Sequence, residues 1–115
     1  MQRLMLKSKI HRATLTGTDL DYEGSITVDV DLLEAADILP NEQVQVLNVN
    51  NGARITTYAI SAERDSGTVM LNGPAARSGV MGDVVVILTY AHVDSGELAG
   101  LSPKIVKVDS KNRLR

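Results

Sequence analysis

No cysteine occurs in the 115 residues, which excludes a disulfide framework, a thiolate zinc cluster and a cysteine nucleophile. Phe and Trp are absent as well. The core must therefore be aliphatic, and the three Tyr residues are the only aromatic rings available for any purpose. Charge of neither sign dominates: the net charge of -2 offers no electrostatic footprint for nucleic acid or for an anionic membrane. Long hydrophobic runs are also missing. The longest, Val84 to Leu88, falls far below the roughly 20 residues that cross a bilayer. Near the N-terminus Leu4, Leu6 and Ile10 are interrupted by Lys7, Lys9, His11 and Arg12, which is no signal-peptide core, so a cytoplasmic protein is expected. What remains is 43% hydrophobic and 23% charged, the balance of a soluble globular chain, with a length that suits a single domain over 1-115.

Residues 4 to 13 alternate, with Leu4, Leu6 and Ile10 on one side and Lys7, Lys9 and His11 on the other, which predicts a half-buried strand with a basic edge. Gly17-Thr18-Asp19 breaks the pattern, and Ile26, Val28 and Val30 resume it. Asp31-Leu32-Leu33-Glu34 has the spacing of a capping box and predicts a short helix from there to about Pro40. A strand around Val44 and Val46 then meets Asn50-Asn51-Gly52, a signal for a type I′ hairpin turn. Arg54 to Ile60, Thr68 to Leu71, Val84 to Ala91 and Ile105 to Val108 complete a set of short strands. Leu39 to Leu47 echoes Val80 to Leu88: each joins a small-residue helix to a turn with an acidic residue and then an aliphatic strand. Two such units suggest a closed β-barrel with few free edges.

His11 and His92 have no second ligand at metal spacing, so no metal site is expected. Neither a Gly-x-Ser-x-Gly elbow nor a phosphate loop occurs. Three clusters remain. Lys7-Ser8-Lys9-Ile10-His11-Arg12-Ala13, taken alone, reads as a solvated strand face. Tyr22-Glu23-Gly24-Ser25 reads as a turn entering a strand. Asn51 to Ile60, with Asn72-Gly73-Pro74-Ala75-Ala76 downstream, reads as a hairpin and a turn.

In this order the three clusters resemble the aspartate 1-decarboxylase family, pyruvoyl-dependent enzymes that make β-alanine for pantothenate synthesis. The likeness runs from Met5 to about Val108. It implies a mainly β protein, a double-psi β-barrel with short helices, assembled as a homotetramer with sites where subunits meet. It also implies self-cleavage between Gly24 and Ser25, giving a β chain of residues 1-24 and an α chain of residues 25-115 that begins with a pyruvoyl group made from Ser25. The chemistry has a physical reason. Loss of an α-carboxylate leaves a carbanion that ordinary side chains cannot delocalise, and a ketone condensed with the amino group of L-aspartate supplies the electron sink. Gly24 suits the cleavage because it permits a strained turn and close approach to its carbonyl.

By the same resemblance Arg54 grips the substrate's side-chain carboxylate, with Lys9 adding positive charge. Thr57 donates to the oxyanion developing at Gly24 and contacts substrate, while Tyr58 delivers the proton that quenches the carbanion. Asn72, Gly73 and Ala75 hold the substrate or the pyruvoyl carbonyl, and Tyr22 and His11 are secondary contacts. Pro74 departs from the family pattern, which more often has Ala there, and removes an amide N-H. Thr57 and Tyr58 are consecutive and point to opposite faces of a regular strand, so both serve one site only at a bulge, a strand end or a subunit boundary. Whether a maturation factor assists cleavage is open. Competing readings are a small β-barrel interaction module, such as a swapped-hairpin transcription factor, for which the acidic balance is unfavourable, and a barrel of the same family that no longer processes itself.

Overall fold

The computed structural model describes residues 1-115. Eight strands form one mixed sheet: β1 (Gln2–Thr14), β2 (Gly17–Asp19), β3 (Ser25–Asp29), β4 (Gln43–Asn48), β5 (Arg54–Ala62), β6 (Val69–Asn72), β7 (Val84–Asp94) and β8 (Lys104–Lys107). Helix α1 spans Val30–Ala35, and 3-10 turns span Gly73–Ser78 and Ser95–Gly100.

The strand order β2-β6-β3-β5-β4-β7-β1-β8 closes because β1 and β2 are one path. Between them the Leu15 N-H donates to the Asp83 carbonyl (2.8 Å) and the Thr16 N-H to the Val69 carbonyl (2.8 Å). The path therefore pairs with β7 along its first part and with β6 along its second. Closure leaves β8 outside, parallel to β1, and removes most edges from water.

Two turns show that the internal echo is structural. The Glu42 N-H donates to Leu39 O (3.1 Å) and the Asp83 N-H to Val80 O (3.0 Å). In return the Glu42 and Asp83 carboxylates accept from the Leu39 and Val80 N-H groups, each at 3.0 Å. Asn41 and Gly82 supply the positive φ that each turn needs, +72° and +94°. Each turn also exchanges two backbone bonds with a neighbouring segment, the first with Ala59 and the second with Leu15. The strands that follow, β4 and β7, lie side by side with Val46 opposite Ile87. Two interlocked copies of one unit in a closed mixed barrel make a double-psi β-barrel.

A cluster of 18 buried aliphatic residues fills it, including Ile10, Leu15, Ile26, Leu71 and Ile87, each no more than 1% exposed. Each such side chain contributes about 1.5 to 3 kcal/mol when fully buried, and no aromatic ring is needed.

Four local expectations are corrected. Gly17–Asp19 does not merely interrupt the pattern but forms β2. The helix starts two residues earlier than its capping-box spacing indicated: Asp29 is the N-cap and accepts from the Asp31 N-H (2.8 Å), while Arg64 takes the Asp31 carboxylate. The helix is over by Ala36, before Pro40. A register shift between Leu6 and Ser8 sets Leu4 opposite His92 and Ile10 opposite Ile87, so Leu4 lies 60% exposed on the face opposite the buried Ile10. The hairpin turn is not type I′, because only Gly52 has positive φ; the Asn48 side chain organises a longer loop by accepting from the Asn50 and Asn51 N-H groups.

The second of the paired turns makes acid stability testable. Hydrogen bonds from the Asn48 side chain and the Val80 N-H hold the Asp83 carboxyl below its ordinary value of 3.8. The unfolded chain then takes up this proton at higher pH than the folded one. The contribution is present above about pH 4 and disappears as the pH falls through the lower folded value. Urea unfolding of Asp83→Asn at pH 3, 4 and 7 should show a shallower acid loss than the parent, and an acid limb identical to the parent's contradicts this assignment.

Candidate active site

Strand β3 begins at Ser25, opposite Asn72 of β6. Its pairing with β5 runs only from Ile26 opposite Ala59 to Asp29 opposite Ala62, so the first half of β5 has no neighbour on that side. A cavity of about 320 Å³ opens along this free edge, lined by Gly24, Ile55, Thr56, Thr57, Pro74 and Ala75. Three consecutive β5 residues border it because a strand edge, unlike a strand face, is reached from both sides.

Ser25 is fully buried at the rim of this arrangement. Its Oγ accepts from Asn72 Nδ2 (2.9 Å) and donates to the Glu23 carbonyl (3.3 Å). The second Asn72 amide proton goes to Thr27 Oγ1 (2.7 Å), so both protons of a buried carboxamide are committed. Gly24, which precedes Ser25, lines the same cavity as Thr57.

The conformational demand sits at Gly73 rather than Gly24. Gly24 is not among the positive-φ residues, and a Cβ there would meet only Pro74 Cδ at an ordinary 3.5 Å. Gly73 has φ +61°, and a Cβ on it would lie 2.8 Å from both Gly24 N and Tyr22 O. The expectation of a strained turn at Gly24 is thus replaced by a left-handed glycine that lets β6 press against the 22-24 backbone. Pro74 opens the 3-10 turn, where its missing N-H leaves no internal bond unmade, and its ring forms a wall of the cavity.

The fold therefore gathers Gly24, Ser25, Thr57, Asn72, Gly73 and Ala75. The cationic residues Arg54 and Lys9 are not among the residues that line this cavity. Arg54 is exposed and donates to Gln45 Oε1 (2.9 Å). Tyr58 is half-buried opposite Gln43, the last pair of the β4-β5 ladder, beyond which Ala59 bonds both Asn41 and Glu42. Lys9 lies across Leu88 and Gln45 from Thr56 in one cross-strand row. Arg54, Thr56 and Tyr58 share a face by their period of two. His11 belongs to a separate cleft with Arg12 and Lys107, and the Tyr22 side chain is half exposed. Thr27 was not singled out from the sequence. The signal was present, since Ser25-Ile26-Thr27 in a strand sets two hydroxyls on one face, but their link through Asn72 is a tertiary contact.

A double-psi β-barrel with a buried serine hydroxyl next to an edge-strand cavity is the class these features define. The family model described as aspartate decarboxylase matches residues 1–115. The aspartate 1-decarboxylase of Thermoanaerobacter pseudethanolicus is 57% identical over 113 residues, covering 98% of this chain and 97% of the relative. That of Syntrophus aciditrophicus is 56% identical over 115 residues, covering 100% and 99%. The chain belongs to the aspartate decarboxylase family.

Gly73→Ala tests the packing directly. It forces both a left-handed alanine and a clash with backbone, of order 1 to 3 kcal/mol for the conformation alone. The melting temperature should drop by several degrees, whereas Gly24→Ala should melt much closer to the parent; the reverse order would remove Gly73 from this role.

Proposed function

We propose that this enzyme of the aspartate decarboxylase family converts L-aspartate to β-alanine and carbon dioxide, for pantothenate synthesis, using a pyruvoyl group that it makes from Ser25. The observation that carries the reading is the fully buried Ser25, held by Asn72 and preceded by a glycine that lines the same cavity as Thr57.

Self-processing is chemistry of the chain itself. Ser25 Oγ attacks the Gly24 carbonyl carbon, the C-N bond breaks, and the hydroxyl proton passes to the Ser25 nitrogen, leaving an ester. Loss of the Ser25 α-proton with departure of the Gly24 carboxylate gives dehydroalanine. One water then replaces nitrogen as ammonia and leaves the pyruvoyl ketone. Residues 1-24 and 25-115 become separate chains. Thr57, on the cavity side of Gly24, stabilises the oxygen that gains charge in the first step. The site fits the group: its source atom is buried, and Gly73 and Ala75 flank the place where it forms. When present, the pyruvoyl group serves as electron sink for the α-carbon.

The remaining roles belong to side chains on the outward face of β5-β4-β7-β1. Arg54 presents a planar fork to the substrate's β-carboxylate, Lys9 adds positive charge, and Tyr58 holds the proton delivered to the α-carbon. These side chains act where subunits meet, a neighbouring copy within a homotetramer completing the site. Exposed Leu4 and Tyr90 flank a groove with Gln43, Gln45 and Leu88 on that face, in keeping with a surface that becomes covered. Asn72 steadies the serine and later the substrate, and His11 and Tyr22 are peripheral.

Thr57 and Tyr58 serve different reactions and separate experimentally. Thr57→Val keeps the shape and deletes the donor, so cleavage should slow about 10²- to 10³-fold in a folded chain. Tyr58→Phe should cleave at the parental rate and release β-alanine slowly. Fragment masses and β-alanine release measured on both variants decide it; cleavage blocked in Tyr58→Phe and normal in Thr57→Val reverses the assignment. Arg54→Lys should also process itself, yet lose tenfold or more in kcat/KM for aspartate, because a point ammonium lacks the bidentate fork. Unchanged kcat/KM in that variant moves carboxylate recognition to Lys9.

A further inference from the structure

We infer that Thr27 is a positioning residue for self-processing: its hydroxyl fixes the Asn72 carboxamide so that an N-H, not the carbonyl oxygen, meets the Ser25 nucleophile. The inference rests on the proposal that Ser25 attacks Gly24.

A carboxamide at the end of a short side chain can present either of two edges to a neighbour. At Ser25 the choice matters. An N-H directed at Oγ draws electron density from the oxygen, stabilises it as it loses its proton, and leaves the hydroxyl proton pointing elsewhere, here at the Glu23 carbonyl. A carbonyl directed at Oγ would bind the hydroxyl proton and hold the oxygen in its unreactive form. With its proton on the Glu23 carbonyl, the Ser25 oxygen can only accept from Asn72, but this single bond leaves the carboxamide free to rock about it.

Thr27 supplies the second anchor. Its Oγ1 lies 2.7 Å from Asn72 Nδ2, shorter than the 2.9 Å to Ser25 Oγ, and the pair of bonds places both amide protons on the two hydroxyls. Strand geometry makes this possible. Ser25 and Thr27 are two apart on β3 and share a face, while Asn72 is the direct cross-strand partner of Ser25 on β6, so its side chain spans both oxygens. Asn72 is 2% exposed and Ser25 fully buried, so water does not readily replace a lost partner. Thr27 itself is half-buried and is not among the residues that line the cavity, so it acts through Asn72.

Thr27→Val retains β-branching and volume and should fold as the parent does. Its cleavage, followed by intact mass in purified precursor, should slow at least tenfold, while Thr27→Ser stays within about threefold of the parent. In an Asn72→Ala background Thr27→Val should slow cleavage no further. Parental cleavage in Thr27→Val, or an equal further slowing without Asn72, overturns the inference. A second readout does not depend on cleavage. In the Ser25→Ala chain Thr27 is the only remaining partner of the Asn72 amide protons, so adding Thr27→Val should shift their NMR signals and speed their exchange with solvent; unchanged signals overturn the inference equally. A parent chain that never cleaves refutes self-processing, and the NMR comparison then still decides whether Thr27 orients Asn72.

Discussion

The start of β3 is the constraint on which the site depends. The ladder to β6 takes hold at Ser25, opposite Asn72, so the serine is fixed while the peptide before it remains outside the sheet. The same boundary deprives Ile55 to Thr57 of a neighbour and opens the cavity. One more residue of pairing would tie the Gly24 peptide into hydrogen bonds and fill the edge. One fewer would release the serine from Asn72. Gly73 sets this boundary from the other side by packing its backbone against residues 22-24.

The barrel supplies the rigidity that such a boundary requires. Two copies of one turn, each closed by a carboxylate reaching back three residues, brace opposite segments of the closed path. An all-aliphatic core packs well within so small a barrel because strands alternate and branched side chains fill both halves alike. Reactive geometry is then concentrated at one seam.

Much of this was legible in residue order. The strand runs follow period-two patterning, and the echo between Leu39-Leu47 and Val80-Leu88 reports a true structural repeat whose turns agree bond for bond. Gly24, Ser25, Thr57, Asn72, Gly73 and Ala75, which the family resemblance singled out, are neighbours around the start of β3. What escaped the sequence depends on partners distant along the chain. The bulge beside Lys7 reverses the facing of Leu4, and nothing local marks it. Asp29 and Asp31 are both capable caps, and the choice is made by Arg64 binding the second. The strain assigned to Gly24 sits across the sheet at Gly73. Thr57 and Tyr58 looked incompatible in one strand until the edge position of the first half of β5 was known, and Lys9, Arg54 and Tyr58 stand on the outward face of the barrel, the face that also carries Ser25 and Thr27 because Ile26 and Ala59 pair on the core side.

The claim that Ser25 is the source of the catalytic group is tested most directly by the intact mass of the unaltered purified protein after incubation, with and without a carbonyl-reactive hydrazide. The account predicts two species that divide after Gly24, the larger lacking a free N-terminal amine and gaining one hydrazide. A single uncleaved chain after prolonged warming and exposure to host extract, or a larger fragment with a free serine amine that ignores the hydrazide, would contradict it.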